Sequence, residues 1–307
     1  MTEEDTSETL VLGAGELGLA VLNELVKLRR EGFLPKISVL LRPKTQVGSD
    51  EDRLRADLQS AGIAIVEADL STSSETDLAK IFREYNQIIG CTGFVGGPGT
   101  QLKITGAAIN AGVQHYIPWQ FGVDYDIVGL GSGQEVFDEQ HAVRDMLRNQ
   151  DSVSWTIIST GMFTSFVFLP DFGLVDLDSA KVHGLGEWDY QLTVTPPEDI
   201  GRMTALIASQ WHSYRDEIVF IAGDTFTYTQ LAETLERVTG RSFERELWDH
   251  ATLRADVDEN PNDTMRKYRL AFARRDGVAW PMEETLNARL GIGTTSLEQW
   301  LRQSLEG

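Results

Sequence analysis

The sequence predicts an α/β fold with a doubly wound parallel sheet, and two features carry that prediction. Short apolar segments alternate with amphipathic helical segments between residues 8 and 159, with short connections between them. A glycine-rich turn separates the first predicted strand from the first predicted helix. Regular alternation of this kind places helices on both faces of a parallel sheet.

The individual elements follow from local periodicity. The first helix has apolar residues at helical spacing, and the second strand is short and mainly apolar, as strands buried on both faces are. Glycine and proline after residue 31 end that helix. The predicted strands are 8–13, 37–41, 63–66, 87–91, 114–118 and 155–159, and the predicted helices are 16–30, 52–61, 75–85, 100–111 and 136–150.

The pattern changes after residue 160, where aromatic and glycine-rich segments replace clear βα units. A short strand is predicted at 217–222, and the helix after it begins at Thr227 and Gln230, which match a capping box. A further strand is predicted at 243–248, and the remainder is predicted to be helical with a polar loop at 259–263.

Composition describes an acidic globular protein. The 47 acidic and 27 basic residues give a formal charge of -20, so neither nucleic acid nor an anionic membrane is an expected partner. No apolar run reaches the roughly 18 residues of a membrane span. The first ten residues lack the features of a secretory signal, and the single cysteine, Cys91, fits a reducing compartment. We therefore expect a cytoplasmic protein.

The segment VLGAGELG at residues 11–18 predicts a dinucleotide site. It places Gly13, Gly15 and Gly18 in the G-x-G-x-x-G spacing. These glycines permit a tight turn, close approach of the backbone to a pyrophosphate, and close packing of helix on strand. The first amides of the helix, which include Glu16 and Leu17, then receive the phosphates, while the Glu16 carboxylate turns outward.

This motif identifies the predicted sheet as a Rossmann domain. We predict an NADP-binding Rossmann domain over residues 1–160. We predict a smaller C-terminal α/β substrate lobe mainly over 161–307, with some of its segments returning to the Rossmann sheet.

The end of the second strand predicts NADP(H) as the cofactor. An acidic residue there selects NAD, whereas this strand ends in Leu41, Arg42, Pro43 and Lys44. Arg42 can clamp a 2′-phosphate and Lys44 adds a second positive charge. The alternative is a solvated arginine at a strand end. Thr92, Gly93 and Phe94 follow the fourth strand, where the nicotinamide half of a cofactor passes.

The chain resembles the NmrA-like and isoflavone-reductase-like family of atypical short-chain reductases. The resemblance rests on the glycine turn, the Arg42 strand end, and the segments AGVQHYIPWQFGVDYD from Ala111, VFDEQHAVRDMLR from Val136, STGMF from Ser159 and TPPEDIGRMTALI from Thr195. The family implies NADP(H) binding and, in its enzymes, hydride transfer to phenolic or similar natural products. It also implies a second role, since some members sense the nicotinamide redox state instead of catalysing.

One departure from the family concerns the proton donor. The family's reductases carry a lysine three residues after the phenylalanine of the Val136–Phe137 helix, and this position is Gln140 here, followed by His141. His141 is the first candidate for a general acid because imidazole titrates near neutrality. Gln140 can hydrogen-bond a substrate oxygen without titrating. The alternative for His141 is a surface or half-buried histidine.

Aromatic residues predict the substrate pocket, since ligand sites prefer apolar walls at the carboxyl ends of the strands. Each of them has core packing as its alternative. The candidates are Trp119, Met162, Phe163, Phe166 and Trp188. The five histidines show no metal-ligand spacing, and we predict no metal.

Three functions remain open from the sequence. The first is an NADPH-dependent oxidoreductase of secondary metabolism, acting on a small aromatic or polyketide-like natural product. The second is a non-catalytic NADP(H)-binding redox sensor of the NmrA type, with a protein partner. The third is a natural-product tailoring enzyme that uses the same fold for a non-redox step.

Overall fold

A computed structural model describes residues 8–32, 36–44, 50–93 and 96–306. The strands are β1 (Glu8–Leu12), β2 (Lys36–Leu41), β3 (Ala64–Glu67), β4 (Gln87–Gly90), β5 (His115–Ile117), β6 (Ser154–Ser159), β7 (Met162–Phe163), β8 (Val175–Asp176), β9 (Lys181–Leu185), β10 (Gln191–Thr195), β11 (Glu217–Phe220), β12 (Asp224–Thr227) and β13 (Glu244–Trp248). The helices are α1 (Glu16–Arg30), α2 (Asp50–Ser60), α3 (Glu75–Phe82), α4 (Thr100–Ala111), α5 (Tyr125–Val128), α6 (Glu135–Arg148), α7 (Thr164–Val167), α8 (Pro197–Ser209), α9 (Tyr228–Thr239), α10 (His250–Glu259), α11 (Thr264–Phe272), α12 (Leu286–Arg289) and α13 (Leu297–Glu306).

The largest sheet confirms the predicted doubly wound fold. Its seven strands lie in the order β11-β6-β5-β4-β1-β2-β3. The chain runs outward from β1 to β3 on one side and then returns to β4, which pairs with β1 on the other side, and these pairs are parallel. The strand order therefore reverses between β1 and β4, the position where open α/β sheets bind ligands at the carboxyl ends of their strands.

Both faces of this sheet are buried, which explains the nearly continuous apolar strands. Leu10 and Ile88 belong to a core that also contains Ile104 of α4 and Val143 of α6. Val11, the neighbour of Leu10 on the opposite face, is likewise fully buried. Successive side chains of a strand point to opposite faces, so a strand covered by helices on both sides needs apolar residues throughout.

Two compact units make up the chain, and each is formed by several segments. The first contains residues up to 120 together with 142–158 and 200–218, and the second contains 121–141, 159–199 and the residues from 219 onward. Residues 200–218 thus belong to the first unit, whereas residues 121–141 belong to the second. Most of α8 belongs to the first unit because Gly201 packs against α1, where a Cβ on Gly201 would lie 2.5 Å from the Ala20 carbonyl carbon.

The second unit contains two three-stranded sheets, β12-β10-β7 and β13-β9-β8. The capping box at Thr227 and Gln230 and the strand β13 match the sequence prediction. Strands β9 and β10 and helix α8 were not predicted. In β10 the apolar Leu192 and Val194 alternate with Thr193, and all three are buried, so the threonines obscure the buried strand. No helix in the described part of the chain is long and apolar enough to cross a membrane.

Candidate functional site

The glycine turn between β1 and α1 has the geometry that its spacing predicts. Gly13 adopts φ +94°, which favours glycine, and its amide donates to the Leu40 carbonyl at 3.0 Å. A Cβ on Gly18 would lie 2.2 Å from the Gly13 carbonyl oxygen, so the helix requires glycine to pack this closely. Gly15 begins α1 as its N-cap, and a Cβ there would meet no atom within 4 Å. The start of α1 is therefore open to an approaching ligand.

A cavity of about 520 Å³ lies over this turn, within the first unit. Its walls come from the carboxyl ends of β1, β2, β3 and β4 and from the start of α4. The lining residues are Gly13, Ala14, Gly15, Leu40, Leu41, Arg42, Pro43, Glu51, Leu54, Ala68, Asp69, Leu70, Ser71, Cys91, Thr92, Gly96 and Thr100. The volume lies within the range of about 300–1,000 Å³ that is usual for small-molecule sites.

The segment after β4 supplies a polar group without a partner. Thr92 lines the cavity, and its buried hydroxyl finds no hydrogen-bond partner among the described residues. Gly93 adopts φ +62°, and its carbonyl accepts from the Gln101 side chain at 2.6 Å, which holds this segment against α4. A buried polar atom without a partner is costly, so the Thr92 hydroxyl is suited to bind a ligand. Phe94, predicted to bind the cofactor, lies outside the described residues.

The end of the second strand carries an exposed positive charge beside the cavity. The Arg42 side chain is exposed and lines the cavity, and its guanidinium makes no hydrogen bond within the described ranges. The Lys44 ammonium pairs with the Asp52 carboxylate, so part of its charge is already compensated. Hydrogen bonds from Ser71, with the nearby charge of Arg42, lower the pKa of Asp69. Arg42 is thus the group best placed to receive an added phosphate.

Two other predicted cofactor residues lie at the start of α1. Glu16 is exposed and Leu17 is buried in the core, and neither side chain lines the cavity. Only their backbone amides are available to a phosphate at the helix N-terminus.

Sequence reasoning missed several lining residues, notably Leu54, Asp69, Ser71 and Thr100. A signal for two of them was available. Because β3 is the parallel neighbour of β2, the residues that follow β3 reach the same edge as Arg42, which places Asp69 and Ser71 in the wall.

The proton-donor candidates lie on α6. The Gln140 side chain is fully buried, whereas His141 is half-buried. Four residues after Gln140, Arg144 is also fully buried, and its Nε donates to the Gln120 side-chain oxygen at 3.0 Å. Sequence reasoning missed Arg144, although it lies seven residues after Phe137 and three before Leu147, a spacing that puts it on the buried face of α6.

The predicted substrate residues fall in both units. Trp119 belongs to the first, where its indole lies 3.7 Å from the Cβ position of Gly93. In the second unit Met162 is buried, Phe163 is half-buried, and Trp188 packs on Gly184.

Phe166 belongs to an aromatic cluster of the second unit. Its ring centroid lies 4.8 Å from that of Phe172 and 5.6 Å from that of Tyr268. Tyr268 also contacts Phe137 of α6, with centroids 5.8 Å apart. Burial raises the pKa of the Tyr268 phenol to about 12, so this hydroxyl stays protonated at neutral pH.

A glycine turn at a helix N-terminus, a cavity at the switch point of a parallel sheet and an exposed Arg42 side chain at the second-strand end are features of a Rossmann-type α/β protein. The model of the NmrA-like family matches residues 5–286. The chain belongs to the NmrA-like family, as its sequence motifs indicate.

Comparison with individual proteins agrees with this assignment. An NmrA-like family domain-containing oxidoreductase of Gibberella moniliformis is 44% identical over 296 residues, covering 95% of this chain and 96% of the relative. Among solved structures, the leucoanthocyanidin reductase–NADPH complex from Vitis vinifera has a TM-score of 0.81 and 16% identity, with 98% and 100% of the two chains covered. An isoflavone reductase structure has a TM-score of 0.77 and 21% identity, with 97% and 99% covered. These structures share the fold of this chain.

Proposed function

We propose that this chain is an NADP(H)-dependent reductase that transfers hydride to a small aromatic or polyketide-like natural product. The observation that carries the proposal is the cavity. The glycine turn, Thr92 and Arg42 all line it. These three features match the pyrophosphate, an unmet polar contact and the 2′-phosphate of one ligand.

The relatives support the same direction. The fungal relative at 44% identity is described as an oxidoreductase. A structural neighbour with the same fold holds NADPH, and another holds NADP⁺ with pinoresinol. These ligands were bound to those proteins, and we propose ligands of the same chemical classes for this chain.

Different residues of the cavity are proposed to bind different parts of the cofactor. The open N-terminus of α1 at Gly15 presents backbone amides and the positive end of the helix dipole to the pyrophosphate. Arg42 binds the 2′-phosphate through paired hydrogen bonds, and the Thr92 hydroxyl donates to or accepts from the cofactor. NADPH bound in this way supplies a hydride to the substrate carbon.

The receiving oxygen or carbon needs a proton after hydride addition. The Gln140 amide stabilises a developing negative charge by donating a hydrogen bond, but it holds no proton to transfer. We assign proton delivery to His141, a half-buried imidazole that directly follows Gln140 on α6. Phe163, Phe166 and Trp188 of the second unit are the apolar side chains that we propose for an aromatic substrate.

One observation favours a second function. The position of the family lysine is a fully buried, non-titrating Gln140, as expected if this chain binds NADP(H) and reports redox state through a protein partner without turnover. Such a regulator keeps the cofactor cavity and loses the acid.

Calorimetric titration with NADPH, NADP⁺, NADH and NAD⁺ tests the cofactor proposal, and a carbonyl and enone panel followed at the NADPH absorbance tests turnover. Preferential NADP(H) binding with turnover supports the reductase. The same binding without turnover favours the regulator. Equal binding of all four nucleotides, or none, contradicts the proposal.

A further inference from the structure

Arg55 of α2 bridges three groups around the edge of the cavity. Its Nε donates to Glu51 Oε1 at 3.0 Å and one terminal nitrogen donates to Glu67 Oε1 at 2.6 Å. The other terminal nitrogen donates to the Arg42 carbonyl at 2.5 Å. The side chain is only 12% exposed, although its partners Glu51 and Glu67 are 39% and 48% exposed. One guanidinium therefore joins α2, the end of β2 and the end of β3.

Glu51 connects the hydrogen bonds of Arg55 to the cavity. It lines the cavity together with Arg42 and Asp69, so two carboxylates and one guanidinium share that end of the site. A 2′-phosphate brings further negative charge, and like charges in a partly enclosed cavity repel strongly. Lys44 is already paired with Asp52. A phosphate can therefore bind favourably here only if a cation compensates the negative charge of Glu51.

We propose that Arg55 is a positioning residue that sets the preference for NADP(H) over NAD(H), by neutralising Glu51 beside the Arg42 phosphate clamp. Arg55 is absent from the cavity lining and acts through Glu51 and Arg42. The inference rests on the proposed function, because it assumes that Arg42 receives the 2′-phosphate.

The chemistry of the guanidinium supports this role. Three acceptors in three directions match the rigid fork of arginine, which the single ammonium of lysine does not reproduce. Burial acts to lower the pKa of Arg55, but the hydrogen bonds to Glu51 and Glu67 outweigh it and raise the pKa. Arg55 therefore keeps its positive charge at neutral pH.

Adenosine fragments isolate the 2′-phosphate. Calorimetric titration of the full chain with 2′,5′-ADP and with 5′-AMP measures binding without any catalysis. We expect Arg55→Gln to weaken 2′,5′-ADP about tenfold and to change 5′-AMP by less than about threefold, the scale of one lost charged hydrogen bond. Adding Glu51→Gln to that variant should restore most of the lost affinity. Arg53→Gln, which removes the same charge from an exposed position of α2, should leave both ligands unchanged.

The single variant Glu51→Gln adds a test that leaves Arg55 in place. Removing this carboxylate should strengthen 2′,5′-ADP relative to 5′-AMP, and a weaker preference contradicts the proposal. Thermal unfolding of each variant checks that the chain is folded. Equal loss of both ligands in Arg55→Gln, or no rescue in the double variant, overturns the role of Arg55. If the wild-type chain fails to prefer 2′,5′-ADP, the proposed function itself fails.

Discussion

The Gly13 carbonyl oxygen lies 2.2 Å from the position that a Cβ of Gly18 would occupy. Helix α1 and the β1 turn are therefore packed with no room for a side chain at this point. Gly15, two residues after Gly13, faces open space, with nothing within 4 Å of its Cβ position. The same motif thus contains one glycine required for packing and another whose Cβ position is open.

This contrast predicts different outcomes for two alanine variants. Gly18→Ala should lower the free energy of unfolding by about 1–3 kcal/mol, since the overlap involves backbone that cannot move aside easily. Gly15→Ala should cost less than about 1 kcal/mol, the effect of a poorer N-cap, yet it should abolish nucleotide binding. Denaturant unfolding and calorimetry on both variants check this. If Gly15→Ala binds NADP⁺ as the wild type does, the backbone there does not contact the pyrophosphate.

A second prediction concerns Arg42. Arg42→Ala should weaken NADPH at least about tenfold, the loss of charged hydrogen bonds to the 2′-phosphate, and should weaken NADH by less than about threefold. Paired titrations with the two cofactors measure the difference. Arg30→Ala, an exposed position at the end of α1, is a suitable charge control. Equal weakening of NADPH and NADH would remove the phosphate role from Arg42.

A third prediction concerns a lysine introduced at position 140. Gln140→Lys should raise reductase turnover if the chain lacks only its acid. Because Gln140 is fully buried, the new ammonium is desolvated, and its pKa should fall below that of free lysine. Gln140→Met matches the lysine stem without the charge and should show no gain. Steady-state rates across pH, with unchanged NADPH affinity, distinguish an added acid from a general change in the site. No gain at any pH, with intact NADPH binding, contradicts the hypothesis that the chain lacks only its acid.

The sequence predicted the first half of the fold closely because that half repeats one physical pattern. Strands such as β2 are buried on both faces, and α1 shows apolar residues at helical spacing from Leu17 to Leu25. Strand β10 was missed because its threonines hydrogen-bond inside the protein: Thr193 Oγ1 contacts Thr225 Oγ1 at 2.7 Å. A polar residue satisfied by a distant partner cannot be distinguished from an exposed one in the sequence alone.

Residues of the candidate site could be predicted where a local motif fixes the backbone conformation. They were harder to predict where packing between distant segments decides which side chains meet. Gly13, Gly15, Arg42 and Thr92, which were predicted to bind the cofactor, all line one cavity. Lys44 was expected to be available for a phosphate, yet the start of α2 brings Asp52 to it. That pairing depends on how a later helix packs, which the local pattern does not contain.

A fourth prediction concerns pH and His115, which is fully buried at the start of β5. Its Nδ1 accepts from Gln87 Nε2 at 2.9 Å, since that amide nitrogen also donates to the Ala208 carbonyl. The proton is therefore on Nε2, which donates to Thr156 Oγ1 at 2.8 Å. A second proton would place an N–H directly against the Gln87 amide, so this network binds the neutral imidazole.

Burial, followed by the charges of His212 and Arg215, lowers the pKa of His115 to about 3. In the unfolded chain His115 titrates near pH 6.5. Below that pH the unfolded chain therefore binds a proton at His115 that the folded chain does not bind. The neutral, buried His115 therefore contributes to the free energy of unfolding. This contribution is complete above about pH 6.5 and falls progressively toward pH 3, by up to about 1.4 kcal/mol per pH unit. Denaturant unfolding at pH 7 and pH 5 should show a loss of about 2 kcal/mol from this group.

The matched variants separate His115 from the other titrating groups. His115→Gln lowers stability at pH 7 but should remove most of the difference between pH 7 and pH 5, because glutamine does not titrate. His250→Gln, at an exposed position of α10, should retain the wild-type slope. A His115→Gln variant with the wild-type pH slope would show that the imidazole is protonated in the folded chain, against the hydrogen-bond assignment.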